Sequence, residues 1–480
     1  MFDLRQYQIN AKNEIRKKFS DGHKRIVLCA PTGSGKTVTF ASIASDSVRN
    51  GTTVVIVVDR RELLQQSREK LVEYGLTPSL ITAGQRTFQS SSYIATVETL
   101  VRRPKIVQRL AETARLLIVI DECHKQSFDK ILESESFQHA FVIGASATPQ
   151  RSGKMTQLSK YYHDIVQPTT IRSLIELGFL VPAVTYGERF DTSKIAIKGG
   201  EFDSASMFGE FNKPVLYTGV VEKYKKHADG SKAICFCVNV EHSIRTRDAF
   251  RSSGIRAEHI DGTTPDALRR QIISAYKQGL IDVLCNCEIL TTGFDDPATE
   301  TIIVNRATRS LTLWLQICGR GSRPFGQSKT HFNVLDLGGN VFRLGFWEQD
   351  REFSLSHKTK TTTGETPLKE CPTCSALIHL STMLCPHCGH VFPKPEMKVK
   401  DGELSSLVMS DNLPENLRGK TLDEMTLVEL EQLREHRKYK LGWIVRQIAN
   451  RSDVTLEQFA ELKGYKTSWI TVQKNLYQLA

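Results

Sequence analysis

Short, wholly apolar runs recur along this chain, separated by longer polar or amphipathic stretches. The runs read RIVLCA, TVVIVVD, RLLIVID and AFVIGAS in the first part, and KAICFCV, DVLCNC, TIIVNR and FNVLDL further on. A run without polar alternation is typical of a strand buried on both faces, and helices between such strands indicate a parallel α/β sheet. The two series, at residues 1–165 and 215–345, therefore predict two tandem α/β lobes.

The remaining residues divide into linkers and two smaller modules. Residues 166–214 break the pattern and are predicted to be a linker or extension, and residues 346–366 are predicted to be a second linker. A cysteine-rich module follows at 367–395, and residues 396–480 are predicted to be a basic helical tail. The predicted fold class is α/β, with two parallel-sheet lobes, a small metal module and a helical tail.

The charge of this 480-residue chain favours a polyanionic partner. Its 64 Lys and Arg side chains against 53 Asp and Glu give a net charge of +11 and a pI of about 9.0. Nucleic acid fits this balance, although a merely basic soluble surface would give it too. No apolar run approaches a membrane span, and the scattered single cysteines are typical of a reducing compartment. We expect a cytoplasmic protein with no membrane partner.

The stretch APTGSGKT, Ala30–Thr37, follows a predicted strand and opens a predicted helix. Such a loop turns backbone N–H groups toward phosphate oxygens at the positive end of a helix. Lys36 is expected on the β- and γ-phosphates, and the Thr37 hydroxyl on Mg²⁺. The strict pattern has Gly where Ala30 stands, but the strand–loop–helix context outweighs that departure. The predicted ATP-binding residues of this loop are Thr32, Gly33, Ser34, Gly35, Lys36 and Thr37.

Another apolar run ends in two acidic residues, LLIVIDECHK. Asp121 at the strand end is predicted to hold Mg²⁺ through water, and Glu122 to orient and polarise the attacking water. Cys123 and His124 lack the spacing of metal ligands, so no metal site is predicted from them.

The stretch QICGRGSR contains two arginines, which could bring positive charge to a bound phosphate. ATP hydrolysis spreads negative charge over the γ-phosphoryl oxygens, and arginine fingers can stabilise that charge. Gln316, Arg320 and Arg323 are predicted to lie on one helix, where the two arginines, three residues apart, share a face. An isolated arginine pair is usually just solvated, but the upstream phosphate loop favours a catalytic role.

Taken in order, LRQYQ, APTGSGKT, VDRREL, ATVETL, DECH, SATP, ICFCV, LTTGFDDP and QICGRGSR resemble the motifs of superfamily 2 nucleic-acid helicases. With the cysteine module that follows, the chain is most similar to the RadD-type bacterial DNA-repair helicases and their phage relatives. The resemblance implies two RecA-like lobes, ATP with Mg²⁺, and DNA as partner, single-stranded or a branched or forked duplex. It also implies a role in repair, recombination or replication, in the cytoplasm of a bacterium or a phage-infected cell.

The same resemblance implies roles for individual residues. Arg5 and Gln8 would contact the adenine, and Gly293 and Asp295 would approach the ribose. Ser146 and Thr148 would link hydrolysis to lobe movement, although both also fit simple strand-end caps. The residues expected to contact nucleic acid are Arg60, Thr96, Thr99, Thr291 and Thr292.

Several functions remain open at this point. The main hypothesis is an ATP-dependent DNA helicase or translocase. RNA is the alternative substrate, because DECH in place of DEAD favours DNA by family analogy only. A nucleotide-gated clamp or remodelling protein would use the same residues without separating strands. A restriction-system motor would need a nuclease or methylase partner, and no nuclease-like group of carboxylates follows the lobes in the sequence.

The module CPTCSALIHLSTMLCPHC is predicted to bind one structural Zn²⁺. Each C-P-x-C turn can present two thiolates to a tetrahedral ion, and four thiolates leave no open position for catalysis. Disulfides are the alternative, disfavoured by the reducing compartment. His387 and His390 are expected to be bystanders. The predicted ligands are Cys371, Cys374, Cys385 and Cys388.

The tail contains an internal duplication. Residues Glu429–Gln447 align without gaps with Thr455–Gln473, each copy reading as helix, turn and helix. The aromatic residues Tyr439, Trp443, Tyr465 and Trp469 recur in register, and either pack in a core or stack on bases among nearby Lys and Arg. A helix-turn-helix that reads a groove is a further possibility. We hypothesise that the tail and the metal module form an accessory nucleic-acid-binding unit.

Overall fold

A computed structural model of the chain describes residues 4–59, 61–81, 90–151, 157–291, 293–355, 367–392, 414–417, 420–437, 439–465 and 467–477. It confirms the fold class, because two parallel-sheet α/β lobes precede a four-cysteine cluster and a group of helices. Residues 1–393 and 394–480 form two compact units, and each is described by itself.

Lobe 1 is a seven-stranded parallel sheet in the order β3-β4-β2-β5-β6-β1-β7. Its strands are β1 (Arg25–Cys29), β2 (Thr53–Val58), β3 (Ser79–Ile81), β4 (Ser92–Thr96), β5 (Leu116–Asp121), β6 (Phe141–Ser146) and β7 (Asp164–Val166). Its helices are α1 (Gln6–Ser20), α2 (Lys36–Arg49), α3 (Arg61–Glu73), α4 (Val97–Val101), α5 (Pro104–Ala111) and α6 (Asp129–Leu132). Hydrophobic clusters cover both faces of the sheet, which explains why the central strands are apolar throughout.

Lobe 2 is a six-stranded parallel sheet in the order β12-β13-β11-β14-β15-β8. Its strands are β8 (Ala183–Gly187), β11 (Ala233–Cys237), β12 (Ala257–Ile260), β13 (Val283–Asn286), β14 (Thr301–Asn305) and β15 (Phe332–Asp336). Its helices are α7 (Ile171–Glu176), α8 (Ser204–Phe211), α9 (Pro214–Ala228), α10 (Val240–Ser252), α11 (Asp266–Lys277), α12 (Leu311–Cys318) and α13 (Asn340–Leu344). A short antiparallel hairpin, β9 (Ile197–Lys198) with β10 (Glu201–Phe202), precedes α8.

The segments expected to be linkers take part in the lobes. Within residues 166–214, β8 pairs with β15 as an edge strand of lobe 2, and Leu174 is buried in the core of that lobe. Beyond α13, the chain returns to lobe 1, where the Ser159 N–H donates to the carbonyl of Leu355 at 3.2 Å and Leu355 packs against the lobe core. The apolar segment that forms β8 is a single short strand, too short to be recognised from the sequence as part of either apolar series.

The cysteine module is a small hairpin, β16 (Leu368–Glu370) with β17 (Leu377–His379), whose Leu377 packs into the core of lobe 2. The second unit contains α14 (Leu427–His436), α15 (Leu441–Ala449), α16 (Leu456–Lys463) and α17 (Thr467–Tyr477). These helices confirm the predicted helical tail. Within the described ranges, every helix is too short or too polar to cross a membrane.

Candidate active site and thiolate cluster

The phosphate loop connects β1 to α2, as predicted. Gly33 and Gly35 have φ values of 91° and 77°, a left-handed conformation that side chains rarely adopt. Ala30 has no such φ; it is buried at the strand end and its N–H donates to Ser146, so a methyl group fits where the strict pattern has Gly. Lys36 donates from Nζ to the carbonyls of Ala30 (3.1 Å) and Pro31 (3.3 Å), at the mouth of the loop.

The two residues expected at the adenine have other contacts in this structure. The Gln8 side chain is buried and donates to the carbonyls of Ser34 (3.1 Å) and Gly35 (3.4 Å), so it braces the phosphate loop. The Arg5 guanidinium lies 3.6 Å from the ring centroid of Phe179. Tyr7 donates to the Ser34 carbonyl at 2.6 Å. Sequence reasoning missed both aromatic residues; Tyr7 stands inside the recognised LRQYQ stretch, whereas no local signal marks Phe179.

Asp121 and Glu122 stand at the end of β5. Burial and the neighbouring Glu122 carboxylate raise the pKa of Asp121 to about 6, although Lys36 acts in the opposite direction. Glu122 has a φ of 53°, and its Oε2 is buried without a hydrogen-bond partner among the described residues. A buried acceptor left open in this way is costly to the fold, so it is available to a water or ligand.

A chain of polar contacts runs from Glu122 to the other lobe. Glu122 Oε2 lies 3.4 Å from His124 Nδ1, and that nitrogen is hydrogen-bonded to Ser146 Oγ at 2.9 Å. The Thr148 N–H donates to Ser146 Oγ at 3.1 Å, and the Thr148 hydroxyl donates to Thr312 Oγ1 of α12 at 2.7 Å. Sequence reasoning singled out Ser146 and Thr148 but missed His124 as a link, and Thr312, which lies far away in the sequence.

The arginine segment differs from its prediction. Gln316 lies on α12, but the helix ends at Cys318, so Arg320 and Arg323 follow it and do not share a helical face. Gly319 ends the helix, and a β-carbon on Gly321 would lie 2.4 Å from the Phe332 ring, which requires glycine in the turn. The prediction that all three residues lie on one helix is therefore wrong.

The two arginines have different environments as a result. Arg323 reaches across the cleft: a β-carbon placed on Gly33 would lie 1.8 Å from its Nη1. That nitrogen is buried and unbonded within the described part of the chain, while Nε lies 3.3 Å from Asp295 Oδ1. Arg320 instead donates to the carbonyls of Phe294 and Thr291, and burial, with Arg323 nearby, lowers its pKa to about 10.

The amino end of α12 is held by a residue that the sequence did not indicate. Glu201, on the β9–β10 hairpin, accepts from the Thr308 hydroxyl at 2.7 Å and from the N–H groups of Arg309 (2.8 Å) and Ser310 (3.0 Å). A carboxylate at a helix N-terminus is favourable because of the helix dipole. The hairpin thus anchors the helix that precedes Arg323.

The residues expected to contact nucleic acid or ribose are partly engaged in local bonds. Thr96 caps α4, accepting from the Thr99 N–H at 3.3 Å and donating to its hydroxyl at 2.8 Å. The Thr291 hydroxyl donates to the Glu288 carbonyl at 2.6 Å. Gly293 has a φ of 75°, and Asp295 pairs with Arg323 as above. Arg60 and Thr292 lie outside the described residues, and all these roles stay predictions.

The four cysteines of the hairpin module converge. Their Sγ atoms all lie within 4.8 Å of one another, with 3.6 Å between Cys371 and Cys388 and 3.8 Å between Cys374 and Cys385. Disulfide sulfurs are about 2.05 Å apart, so these are separate thiols. Four sulfur ligands in two turns fit a tetrahedral Zn²⁺.

Matching turns hold the two cysteine pairs. The N–H of Ser375 donates to Cys371 at 2.8 Å, and the N–H of Gly389 donates to Cys385 at 3.0 Å. Ser375 and Gly389, each following the second cysteine of its pair, share a left-handed φ of 59° and 73°. His390 is hydrogen-bonded to Thr373 at 2.9 Å, which agrees with a bystander role.

Comparisons with known proteins agree with this architecture. The protein-family model described as "Type III restriction enzyme, res subunit" matches residues 1–151. The family model described as "Helicase conserved C-terminal domain" matches residues 216–324. The 51.5 kDa protein of a Lactococcus phage is 30% identical over 383 residues, covering 77% of this chain and 79% of that protein.

Two further proteins extend the comparison. IRC3 of Saccharomyces cerevisiae, named as a candidate ATP-dependent helicase, is 30% identical over 363 residues, which are 70% of this chain and 51% of that protein. The chain thus spans about half the length of that relative. The solved structure of the ATP-dependent Type ISP restriction-modification enzyme LlaBIII bound to DNA matches with a TM-score of 0.51 and 15% identity, over 69% of this chain and 27% of that one. At this identity the likeness concerns the fold alone.

Proposed function

The chain belongs to superfamily 2 of the nucleic-acid helicases, and we propose that it is an ATP-dependent DNA helicase or translocase. One observation carries the proposal: Nη1 of Arg323, from lobe 2, lies buried and unbonded against Gly33 of the phosphate loop in lobe 1. A cation from one lobe aimed at the anion site of the other is what an ATPase needs if hydrolysis is to depend on closure of the lobes.

The residues of the cleft divide the chemistry between them. The N–H groups of Thr32–Thr37 and the ammonium of Lys36 would bind the phosphates of ATP. Thr37 and Asp121 would hold Mg²⁺, which neutralises charge developing on the phosphoryl oxygens. The open Oε2 of Glu122 would orient the attacking water, and Arg323 would stabilise the charge of the transition state. Gln316, whose Nε2 is buried without a described partner, is the second candidate for contacting this water.

Hydrolysis would be transmitted through the contacts between lobes. A change at Glu122 is felt by His124, Ser146 and Thr148 in turn, and Thr148 meets Thr312 on α12. Because α12 precedes Arg323, the same helix would report both the nucleotide and the position of lobe 1. Nucleic acid bound across both lobes would then move as the cleft opens and closes.

DNA is the proposed substrate, with RNA as the alternative. The net charge of +11 suits either polyanion, and the preference for DNA follows from the motif resemblance alone. A RadD-type role in repair, recombination or replication, in a bacterial or phage-infected cytoplasm, is part of the proposal. A nucleotide-gated clamp that does not separate strands would use the same cleft.

A panel of nucleic acids tests the proposal. ATPase rates are measured with single-stranded DNA, duplex DNA, forked DNA and RNA, and unwinding is measured on the forked duplex. We expect single-stranded or forked DNA to stimulate hydrolysis most. Stronger stimulation by RNA would mean that RNA is the substrate. Lys36→Ala or Glu122→Gln should abolish hydrolysis while sparing much of the nucleic-acid binding. Hydrolysis at the wild-type rate in either variant would contradict the proposed site.

The thiolate cluster is proposed to hold one structural Zn²⁺. Its sulfur geometry and paired turns support this. Metal analysis of the purified chain should find about one zinc per molecule, and Cys385→Ser should lose it and lower the thermal midpoint. Full occupancy with three thiolates, or a metal-free protein of unchanged stability, would contradict a structural zinc.

A further inference from the structure

The duplicated tail presents two aromatic pairs in the same geometry. The rings of Tyr439 and Trp443 have centroids 4.8 Å apart at 41°, and those of Tyr465 and Trp469 have centroids 4.7 Å apart at 36°. Each pair stands where the first helix of a copy passes into the second. The duplication seen in the sequence is thus preserved in three dimensions at these side chains.

Within each pair the two rings have different surroundings. Trp443 and Trp469 are partly buried and pack against the hydrophobic core of the unit, where Trp469 lies 5.9 Å from the ring of Phe459. Tyr439 and Tyr465 are 42% and 37% exposed. The sequence left two alternatives for these aromatic residues, core packing or a surface for bases. In each pair the tryptophan packs against the core and the tyrosine is exposed to solvent.

The recurrence of an exposed residue is informative. Buried residues such as Leu430 and Ile444 recur in the second copy as Leu456 and Ile470, as core packing requires. Tyr439 and Lys440 are exposed, yet the Tyr-Lys dipeptide recurs 26 residues later. The exposed Gln432 and Glu435 also recur, so the distinctive feature is that the retained exposed residue is a large aromatic. Retention of an exposed aromatic and its basic neighbour indicates use of the surface.

The charge around the pairs is positive. Residues 434–451 contain six Arg and Lys against one acidic residue, and residues 462–477 contain three Lys and no acid. Two of the six form ion pairs with nearby acids, Arg434 with Glu431 and Arg451 with Asp453. One of the three lysines, Lys463, lies 2.8 Å from Glu431 and 3.4 Å from Glu435 and so joins the two copies. Lys440 is exposed beside Tyr439.

We propose that the outer faces of Tyr439 and Tyr465 are two equivalent stacking subsites for single-stranded DNA. Aromatic rings backed by a rigid support and flanked by cations bind unpaired bases without reading sequence, whereas paired bases in a duplex expose no such face. The choice of DNA rests on the proposed function. Single-stranded DNA held at the tail would raise its local concentration for the motor.

The test uses the full chain without nucleotide and a fluorescent oligothymidine. Tyr439→Leu and Tyr465→Leu should each weaken binding about fivefold, and the double variant by roughly the product, since each subsite holds one base. Tyr439→Phe keeps the ring and should restore binding. Val428→Ala, which shortens a 49% exposed apolar residue of the same unit, is the matched control and should change nothing. Circular dichroism checks that the helices persist.

Tryptophan fluorescence supplies a second readout. Two of the four tryptophans, Trp314 and Trp347, are fully buried in lobe 2, so quenching by oligothymidine reports on Trp443 and Trp469. Both should be quenched alike, as Trp443→Phe and Trp469→Phe would show separately.

Several results would overturn the inference. A folded double variant that binds oligothymidine with wild-type affinity would do so, as would equal losses for duplex and single-stranded DNA. A change in oligomeric state measured by light scattering would make the surface an interface between copies. If wild-type ATPase responds to no nucleic acid, the proposed function fails. If the wild type is stimulated by DNA and the double variant needs no more DNA for half-stimulation, only the stacking inference fails.

Discussion

Two carboxylates, one at the carboxyl end of a parallel strand in each lobe, behave in opposite ways. Asp121 ends β5 of lobe 1, and Asp261 directly follows β12 of lobe 2. Burial, with Glu122 beside it, raises the pKa of Asp121 to about 6. Burial alone would also raise the pKa of Asp261, but hydrogen bonds from Thr263 and His259 outweigh it and lower that pKa to about 2.

The two carboxylates differ in how many hydrogen-bond donors the protein itself supplies to them. Asp261 Oδ1 accepts from the N–H (2.7 Å) and hydroxyl (2.8 Å) of Thr263 and from the N–H of Thr264 (2.9 Å). Asp121 accepts one hydrogen bond within the described residues, from the N–H of Glu122 at 3.0 Å. A carboxyl at the end of a parallel strand is thus structural when the protein satisfies it and available to a cation when the protein does not. In lobe 1 the carboxylate of Asp121 remains available to a cation, and lobe 2 contributes the guanidinium of Arg323.

The largest expected effect concerns that cation. Arg323→Ala should lower the rate of ATP hydrolysis about 10³-fold or more, because an arginine finger acts on charge that develops in the transition state. ATP binding should change little. Steady-state hydrolysis and nucleotide titration measure the two effects. Arg256→Ala, at an exposed arginine of lobe 2 paired with Asp282, is the control and should retain the wild-type rate.

Arg320→Ala separates the two arginines further. Its guanidinium donates to the carbonyls of Thr291 and Phe294, so its loss should lower the thermal midpoint as well as the rate. Equal stability of the Arg320 and Arg323 variants would show that the different environments of the two side chains have no energetic consequence.

Asp121→Asn should reduce hydrolysis by about three orders of magnitude, since it removes the proposed Mg²⁺ partner. The thermal midpoint of the metal-free protein should not fall, because the substitution removes a buried charge that is poorly compensated. Hydrolysis and thermal unfolding without Mg²⁺ are the measurements. A large loss of stability would mean that Asp121 is a structural residue like Asp261.

Asp261→Asn should give the reverse result, with hydrolysis retained and stability lowered by about 2 kcal/mol near neutral pH. A carboxyl whose pKa is depressed in the folded state stabilises the fold above its unfolded pKa, about 3.9, and loses that contribution as the pH falls toward about 2. Denaturant unfolding from pH 6 to pH 2 should therefore show a steeper loss in the wild type than in the variant. Parallel curves would contradict the assignment.

The two lobes also differ in how far the sequence predicts them. The groups of lobe 1, from Gly33 to Glu122, follow strands closely, so a buried strand and the next few residues are enough to find them. In lobe 2, Arg320 and Arg323 were found but placed on a helix, because their spacing did not reveal the contact of Gly321 with Phe332. Glu201 and Phe179 had no signal at all, since their partners lie on other elements of the fold.

The smallest expected effect concerns one contact between the lobes, the hydrogen bond between the hydroxyls of Thr148 and Thr312. Thr148→Val and Thr312→Val should each reduce the stimulation of hydrolysis by DNA about threefold, the value of one hydrogen bond. The double variant should lose little more, because both changes remove the same bond. Thr185→Val is the control. The Thr185 hydroxyl is buried in β8 without a described partner, so its removal should leave the stability of the fold unchanged or raise it. Additive losses at Thr148 and Thr312 would mean that the two hydroxyls act separately and that their hydrogen bond does not couple the lobes.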